Sequence, residues 1–342
     1  GRSQGMNINF RNGSNMSLFI KIFCVFSLLL PFNSAIAQRL EPISGRAVEL
    51  NSILPADVLA RAYLLSDEID LIRLELGKPR SSSELEIVEN ASPREVYFQA
   101  QTSLIKVNHL LYEQTGSRVV AVPTINIEDI RPFHVWLLVN QTYEQVVEVK
   151  NYLQITEKAF EQEQEIDTLP SDVFAQVTLV NSQVNALLKQ QFTPSDVYKK
   201  TNEAIHLMAS LLATAPTVKR IPSAHAFERR KTPTDVYSYL IKTREILIDI
   251  VKHYDVNFVQ FKDKDKDKDK DKDPGDVYDL ASLMVANLHY IHSLKLAAKS
   301  PAKTYLVGQK TPSDVYQRVS VLHQQIIALQ QLHLNDSNWL LH

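Results

Sequence analysis

Seven aromatic residues recur at one place in a repeated hexamer: Tyr97, Trp136, Phe174, Tyr198, Tyr237, Tyr278 and Tyr316. Gathered at one end of a set of helices, such rings would wall a ligand pocket, with hydroxyls offered by Tyr198, Tyr237, Tyr278 and Tyr316. The competing account is that each ring packs against a connector returning past its helix. His253, His292 and His333 lie 17, 15 and 18 residues beyond the valines of their repeats. On parallel helices three imidazoles at similar height could bind a divalent metal. Surface or packed histidines are the preferred account, and no cofactor is expected.

Two weaker signals accompany these. Lys262–Asp273 alternates lysine and aspartate, like the opening of a calcium loop, but position twelve counted from Asp269 is Leu280 rather than a glutamate. Lysines flank every aspartate, so the run reads as a solvated connector. Asn108, Asn185, Asp70 and His289 recur near apolar seams, where buried polar groups could fix helix register or line a small cavity. No HExxH, GxSxG or glycine-framed nucleophile occurs, and the carboxylates cluster at helix starts, where capping accounts for them. The expectation is a protein that is not an enzyme.

The elements that would position these residues are set by the hexamer. TPSDVY stands at Thr193–Tyr198 and again at Thr311–Tyr316, and relatives of it begin at Leu54, Ser92, Arg131, Leu169, Thr232 and Asp273. Thr or Ser caps the first free N–H groups of a helix, and proline costs no hydrogen bond at its first position. The acid two residues later completes a capping box and meets the positive end of the helix dipole. Leu54, Arg131 and Leu169 lack a capping side chain, and His134 replaces the acid, so the third start is the weakest. Beyond each valine, positions 4, 7, 11 and 14 are largely apolar, as in Val315, Val319, Leu322, Ile326 and Leu329. Val173, Val177, Val180, Val184 and Leu187 repeat the pattern, as do Val58, Ala62, Leu65, Ile69 and Ile72. This is the narrow seam of helices packed at a shallow angle.

Spacing gives the organisation. The prolines stand at 55, 93, 132, 170, 194, 233, 274 and 312, and one short step, from 170 to 194, divides eight repeats of about 38 residues into two sets of four. Corresponding prolines differ by 139 to 142, the mark of a tandem duplication. The fold class expected is all-α: two tandem four-helix bundles, residues 38–192 and 193–342, joined internally by long extended connectors. Helices of roughly 33 Å and extended connectors of about 12 residues allow every helix of a bundle to run the same way. Val119-Val120-Ala121-Val122-Pro123 is one such strand-like return; antiparallel packing with ordered loops is the alternative.

The start of the chain reads differently. Lys21, the apolar run Ile22–Leu30 and Ala35-Ile36-Ala37 have the form of a secretory signal peptide, placed in residues 1–37 with cleavage near Ala37. Cys24, the single cysteine, lies inside that run, so the remainder can form no disulfide or thiolate site. Net charge is −2, with no basic excess to attract nucleic acid, and eight glycines in 342 residues include no GxGxxG or GxxxxGK[ST]. No later stretch is apolar enough to span a membrane. These features give an exported, periplasmic or secreted helical repeat protein that binds an unidentified protein or envelope component. The alternative is a periplasmic ligand-binding or sensor protein using the aromatic bundle ends.

Overall fold

Each hexamer starts a helix at its proline. The helices are α1 (Pro55–Glu75), α2 (Pro93–Thr115), α3 (Pro132–Tyr152), α4 (Pro170–Leu187), α5 (Pro194–Leu212), α6 (Pro233–Val251), α7 (Pro274–Leu294) and α8 (Pro312–Asn335). The computed structural model describes residues 52–342 apart from 82, 118–119, 123–124, 126–129, 162–166, 190, 263–270 and 306–307. The signal-like segment, Cys24, part of the Val119–Pro123 stretch and most of the Lys-Asp run lie outside the described residues. The described residues belong to one compact unit. No helix among the described residues is long and apolar enough to cross a membrane.

All eight starts share one hydrogen-bond pattern. The residue before the proline is extended, and its N–H donates to the side chain three positions on, at 2.7–3.1 Å. In α3 that acceptor is His134 Nδ1, 3.0 Å from the Arg131 nitrogen, so the imidazole does what the carboxylates do elsewhere. Ser92, Thr193, Thr232, Asp273 and Thr311 also accept the reciprocal bond; Leu54, Arg131 and Leu169 have no side-chain cap. The seam residues of α1, α4 and α8 named above are at most 2% exposed, so the apolar stripe faces inward.

Among successive helices, α2 with α3 and α6 with α7 pack on one another. Helices α1 and α2 each pack on α3 and α4, and α5 and α6 each pack on α7 and α8. The starts of α5–α8 meet around a small apolar space lined by Pro194, Pro233, Pro274, Pro312 and the four valines Val197, Val236, Val277 and Val315. These four helices therefore run in the same direction. The segment from α5 to α6 must travel back the length of the assembly, and it does so along α8. Gln325 Nε2 donates to the Arg220 carbonyl at 2.6 Å and Gln324 Nε2 to the Ser223 carbonyl at 3.0 Å. Further down, the His225 N–H donates to Ser320 Oγ at 3.1 Å and the Lys231 N–H to Ser313 Oγ at 3.1 Å. Side chains of α8 thus satisfy backbone groups that an extended return cannot pair with itself. A two-residue antiparallel strand pair, Val88–Glu89 with Gln260–Phe261, ties the connector before α2 to the one before α7.

The α1–α4 and α5–α8 groups meet chiefly through α2 and α7. Helix α7 is buried almost all round, from Val277 to Leu288 without a break, so its polar residues need internal partners. Glu95 accepts from the Val259 N–H at 2.9 Å and from Asn287 Nδ2 at 2.8 Å, with the Arg244 guanidinium 3.8 Å away. Arg244 donates in turn to Asn287 Oδ1 and to the Val259 carbonyl, at 3.1 and 2.6 Å. Burial pulls that guanidinium down to about 10 against the opposing effect of Glu95. Farther along the same contact, Lys106 Nζ meets both Asp279 oxygens at 2.6–2.7 Å. Burial pushes the Asp279 carboxyl up to about 6, with Lys106 resisting.

Candidate functional site

The hexamer tyrosines of α5–α8 are held by a cyclic arrangement. The residue just before each cap lies over the aromatic of a neighbouring helix. Lys231 Nζ is 4.1 Å from the ring of Tyr316, Lys272 Nζ is 4.7 Å from that of Tyr237, and Lys310 Nζ is 4.8 Å from that of Tyr198. Phe192 completes the cycle against Tyr278, ring centroids 4.3 Å apart. The backbone of the same lysines is fastened to the same neighbours. The Lys231, Lys272 and Lys310 N–H groups donate to Ser313, Thr234 and Ser195 at 3.0–3.1 Å. The third letter of the hexamer therefore takes a hydrogen bond and the sixth takes a cation. At Phe192 the third-letter position is Gly275, where a Cβ would come within 2.5–2.9 Å of the Asn185 side chain of α4. A larger residue there would have to displace the Asn185 amide.

The aromatics of α2–α4 are placed differently. Tyr97, Trp136 and Phe174 are at most 3% exposed. Trp136 carries the Arg61 guanidinium at 5.5 Å, and Tyr97 meets Phe98 edge-on at 5.8 Å. Burial raises the Tyr97 and Tyr278 phenols above the ordinary range. The seven rings are thus distributed around two sets of helix starts, in contact with neighbours. The space at the centre of the α5–α8 starts is lined by proline and valine.

The three histidines do not converge. His253 and His333 face one another, centroids 4.6 Å apart, with the Tyr254 hydroxyl 2.9 Å from His333 Nδ1. His292 lies elsewhere, its Nε2 3.0 Å from Ser210 Oγ and 2.9 Å from the Lys299 carbonyl. Burial lowers the pKa of both His292 and His333. Among the described residues no group of three His, Cys, Asp or Glu side chains could hold a metal ion. Of the seam-flanking polar residues, Asn108 pairs with both backbone groups of Val120, at 2.8 and 3.3 Å, and so holds a returning connector. Asp70 binds Arg73 at 2.5 Å, His289 stacks on Phe98, and Asn185 is pressed against Gly275.

Two surface features remain as places for chemistry or docking. The first is a cleft of about 470 Å³ bounded by Asp235, Ser238, Tyr239 and Lys242 of α6, Tyr316 and His323 of α8, and His225 of the returning segment. Of these, Asp235 and Tyr316 belong to the hexamer. Tyr239, Lys242 and His323 sit on faces that the seam pattern treats as outward, so periodicity alone gave no reason to single them out. The second feature lies at the C-terminal ends of helices in the other group. Leu74, Tyr112 and Tyr152 occupy the last turns of α1, α2 and α3 and are each about 60% exposed, at 59%, 62% and 58%. Phe160, in the connector after α3, is 88% exposed. The sequence held a signal for the buried junction too: Leu280–Leu288 of α7 is apolar on every face but for Ser282 and Asn287. Comparison of the chain with protein-family models, with curated proteins and with solved structures found no match.

Proposed function

We propose that the protein is an exported, non-enzymatic helical scaffold made of two tandem four-helix bundles, and that it works by docking a protein or envelope component. Supporting duplication, corresponding prolines are 139 to 142 residues apart and the two groups pack in the same helix order. The signal-like run ending at Ala35-Ile36-Ala37 supports export.

The docking reading is carried by the exposed Leu74, Tyr112 and Tyr152. Helix α3 packs on both α1 and α2, and each of the three carries one of these large exposed side chains in its last turn. Burying them in a partner interface would recover apolar and aromatic area that the folded chain leaves in water. The test is cross-linking in the producing cells with the native chain and with Leu74→Ser/Tyr112→Ser/Tyr152→Ser. A cross-linked partner that disappears in the variant, with melting temperature unchanged, is the expected result. The same partner captured equally by both proteins, or none captured by either, removes this surface from the account.

A further inference from the structure

We propose that the cleft between α6, α8 and the returning segment binds a small aromatic carboxylate, its ring against Tyr239 and Tyr316 and its carboxylate at Lys242 and His323. This is independent of the docking surface, which lies on α1–α3, so either can fail alone.

The walls fit an aromatic guest. Tyr239 contacts Tyr316 at 5.0 Å and His323 at 5.2 Å, with interplanar angles of 44° and 51°. Three planar groups tilted against one another form an open V rather than a closed stack, and an offset or edge-on ring is the geometry such faces favour. The volume, about 470 Å³, is that of a small-molecule site.

The polar groups select charge. Asp235 is already committed: it accepts from the Thr232 N–H and hydroxyl at 2.7 and 2.9 Å. Of the surrounding cations, Lys231 is paired with Glu228 at 2.7 Å while lying over Tyr316. Lys242 is exposed at the cleft and can be given to a guest. Thr243 Oγ1 donates its one hydrogen to the Tyr239 carbonyl at 2.7 Å, so toward His323 Nδ1, 3.0 Å away, it can only accept. Nδ1 therefore carries the proton, and Nε2 is the nitrogen that gains one when the ring becomes cationic. Burial, then Lys242 and His225, make that protonation harder in the empty cleft. Near neutrality Lys242 and Asp235 balance, with Lys231 and Glu228 cancelling beside them. As pH falls, protonation of His323 turns the cleft cationic. A bound carboxylate favours the protonated ring, so affinity must fall as pH rises through the histidine range.

The full chain titrated calorimetrically with benzoate at pH 6 and pH 8 tests this. Benzoate should bind more tightly at pH 6, and more tightly than cyclohexanecarboxylate or inorganic phosphate. Lys242→Met, a change at an exposed side chain, should weaken benzoate about tenfold, the loss of one charge-assisted contact. His323→Gln should flatten the difference between the two pH values while the melting temperature stays near that of the native chain. No saturable benzoate binding at either pH overturns the proposal. So does binding unchanged by Lys242→Met, or phosphate binding as tightly as benzoate.

Discussion

Glu95 and Asp235 stand at the same position of the repeated hexamer, yet they serve different parts of the molecule. Asp235 caps its own helix at the surface: it accepts from Thr232 and does little else within the fold. Glu95 caps Ser92 in the same way, at 3.1 Å, and is also fully buried between the two helix groups, reaching the Val259 N–H, Asn287 and Arg244. One extra methylene and a different neighbour turn a local device into a junction. The lesson is that a capping acid is worth what its surroundings make of it: exposed, a fraction of a hydrogen bond; buried opposite a guanidinium, the charge that keeps the guanidinium tolerable.

The largest effect should come from changing these two acids in parallel. Glu95→Gln leaves Arg244 buried without a counter-charge and should cost about 3–5 kcal/mol in urea unfolding. Asp235→Asn keeps much of the cap and should cost about 1 kcal/mol or less. Equal costs would break the comparison. Asp235 is held below the usual carboxylate range mainly by the Thr232 N–H. Its contribution should be present above the unfolded-state value and lost as pH falls below about 4.

Lys106→Met probes the second pair at the junction and should cost about 3 kcal/mol at neutral pH. In the native chain burial raises Asp279 to about 6, so this group's contribution declines as pH rises from about 4 to 6 and is level above. Without the cation the carboxyl rises further, and in the variant the decline should continue beyond pH 6. Stability curves of the two proteins that run parallel between pH 6 and 8 would show that Lys106 does not govern Asp279.

A smaller cost, about 1–3 kcal/mol, is expected for Gly275→Ala, because its new Cβ overlaps Asn185. Asn185→Ala should recover part of it, measured as a double-mutant cycle by thermal unfolding. The smallest effect belongs to the half-exposed rim. Lys310→Ala removes a cation from the face of Tyr198 and should cost under about 1 kcal/mol. A loss as large as that of Lys106→Met would mean that the rim contributes as much to stability as the junction between the groups.

Much of the local structure was legible beforehand. Every helix starts at the proline of its hexamer, and the stripes read from α1, α4 and α8 are buried. Even the irregular third start holds, because His134 Nδ1 has a lone pair in the position where the other repeats present a carboxylate oxygen. That the three histidines do not converge has a physical reason. Equal height on parallel helices does not mean equal facing, and the change of two residues in offset between His253 and His292 turns a side chain by about 200°. His292 consequently points to Ser210 while His253 and His333 meet. The cleft was invisible because its residues come from α6, α8 and a segment without periodicity.

What the sequence by itself determined is where helices begin, which stripe of each is apolar and how far the chain must travel between them. These follow from capping chemistry and side-chain period, which act within a few residues. Only the tertiary structure decided the partner of each helix, the meeting of Lys231, Lys272, Lys310 and Phe192 with their aromatics, and the burial of Glu95, Arg244, Lys106 and Asp279. Those outcomes depend on groups up to 192 residues apart, as Glu95 and Asn287 are. A charged side chain reads the same in sequence whether it ends in water or against its counter-charge, and desolvation, which separates the two, exists only once the helices have packed.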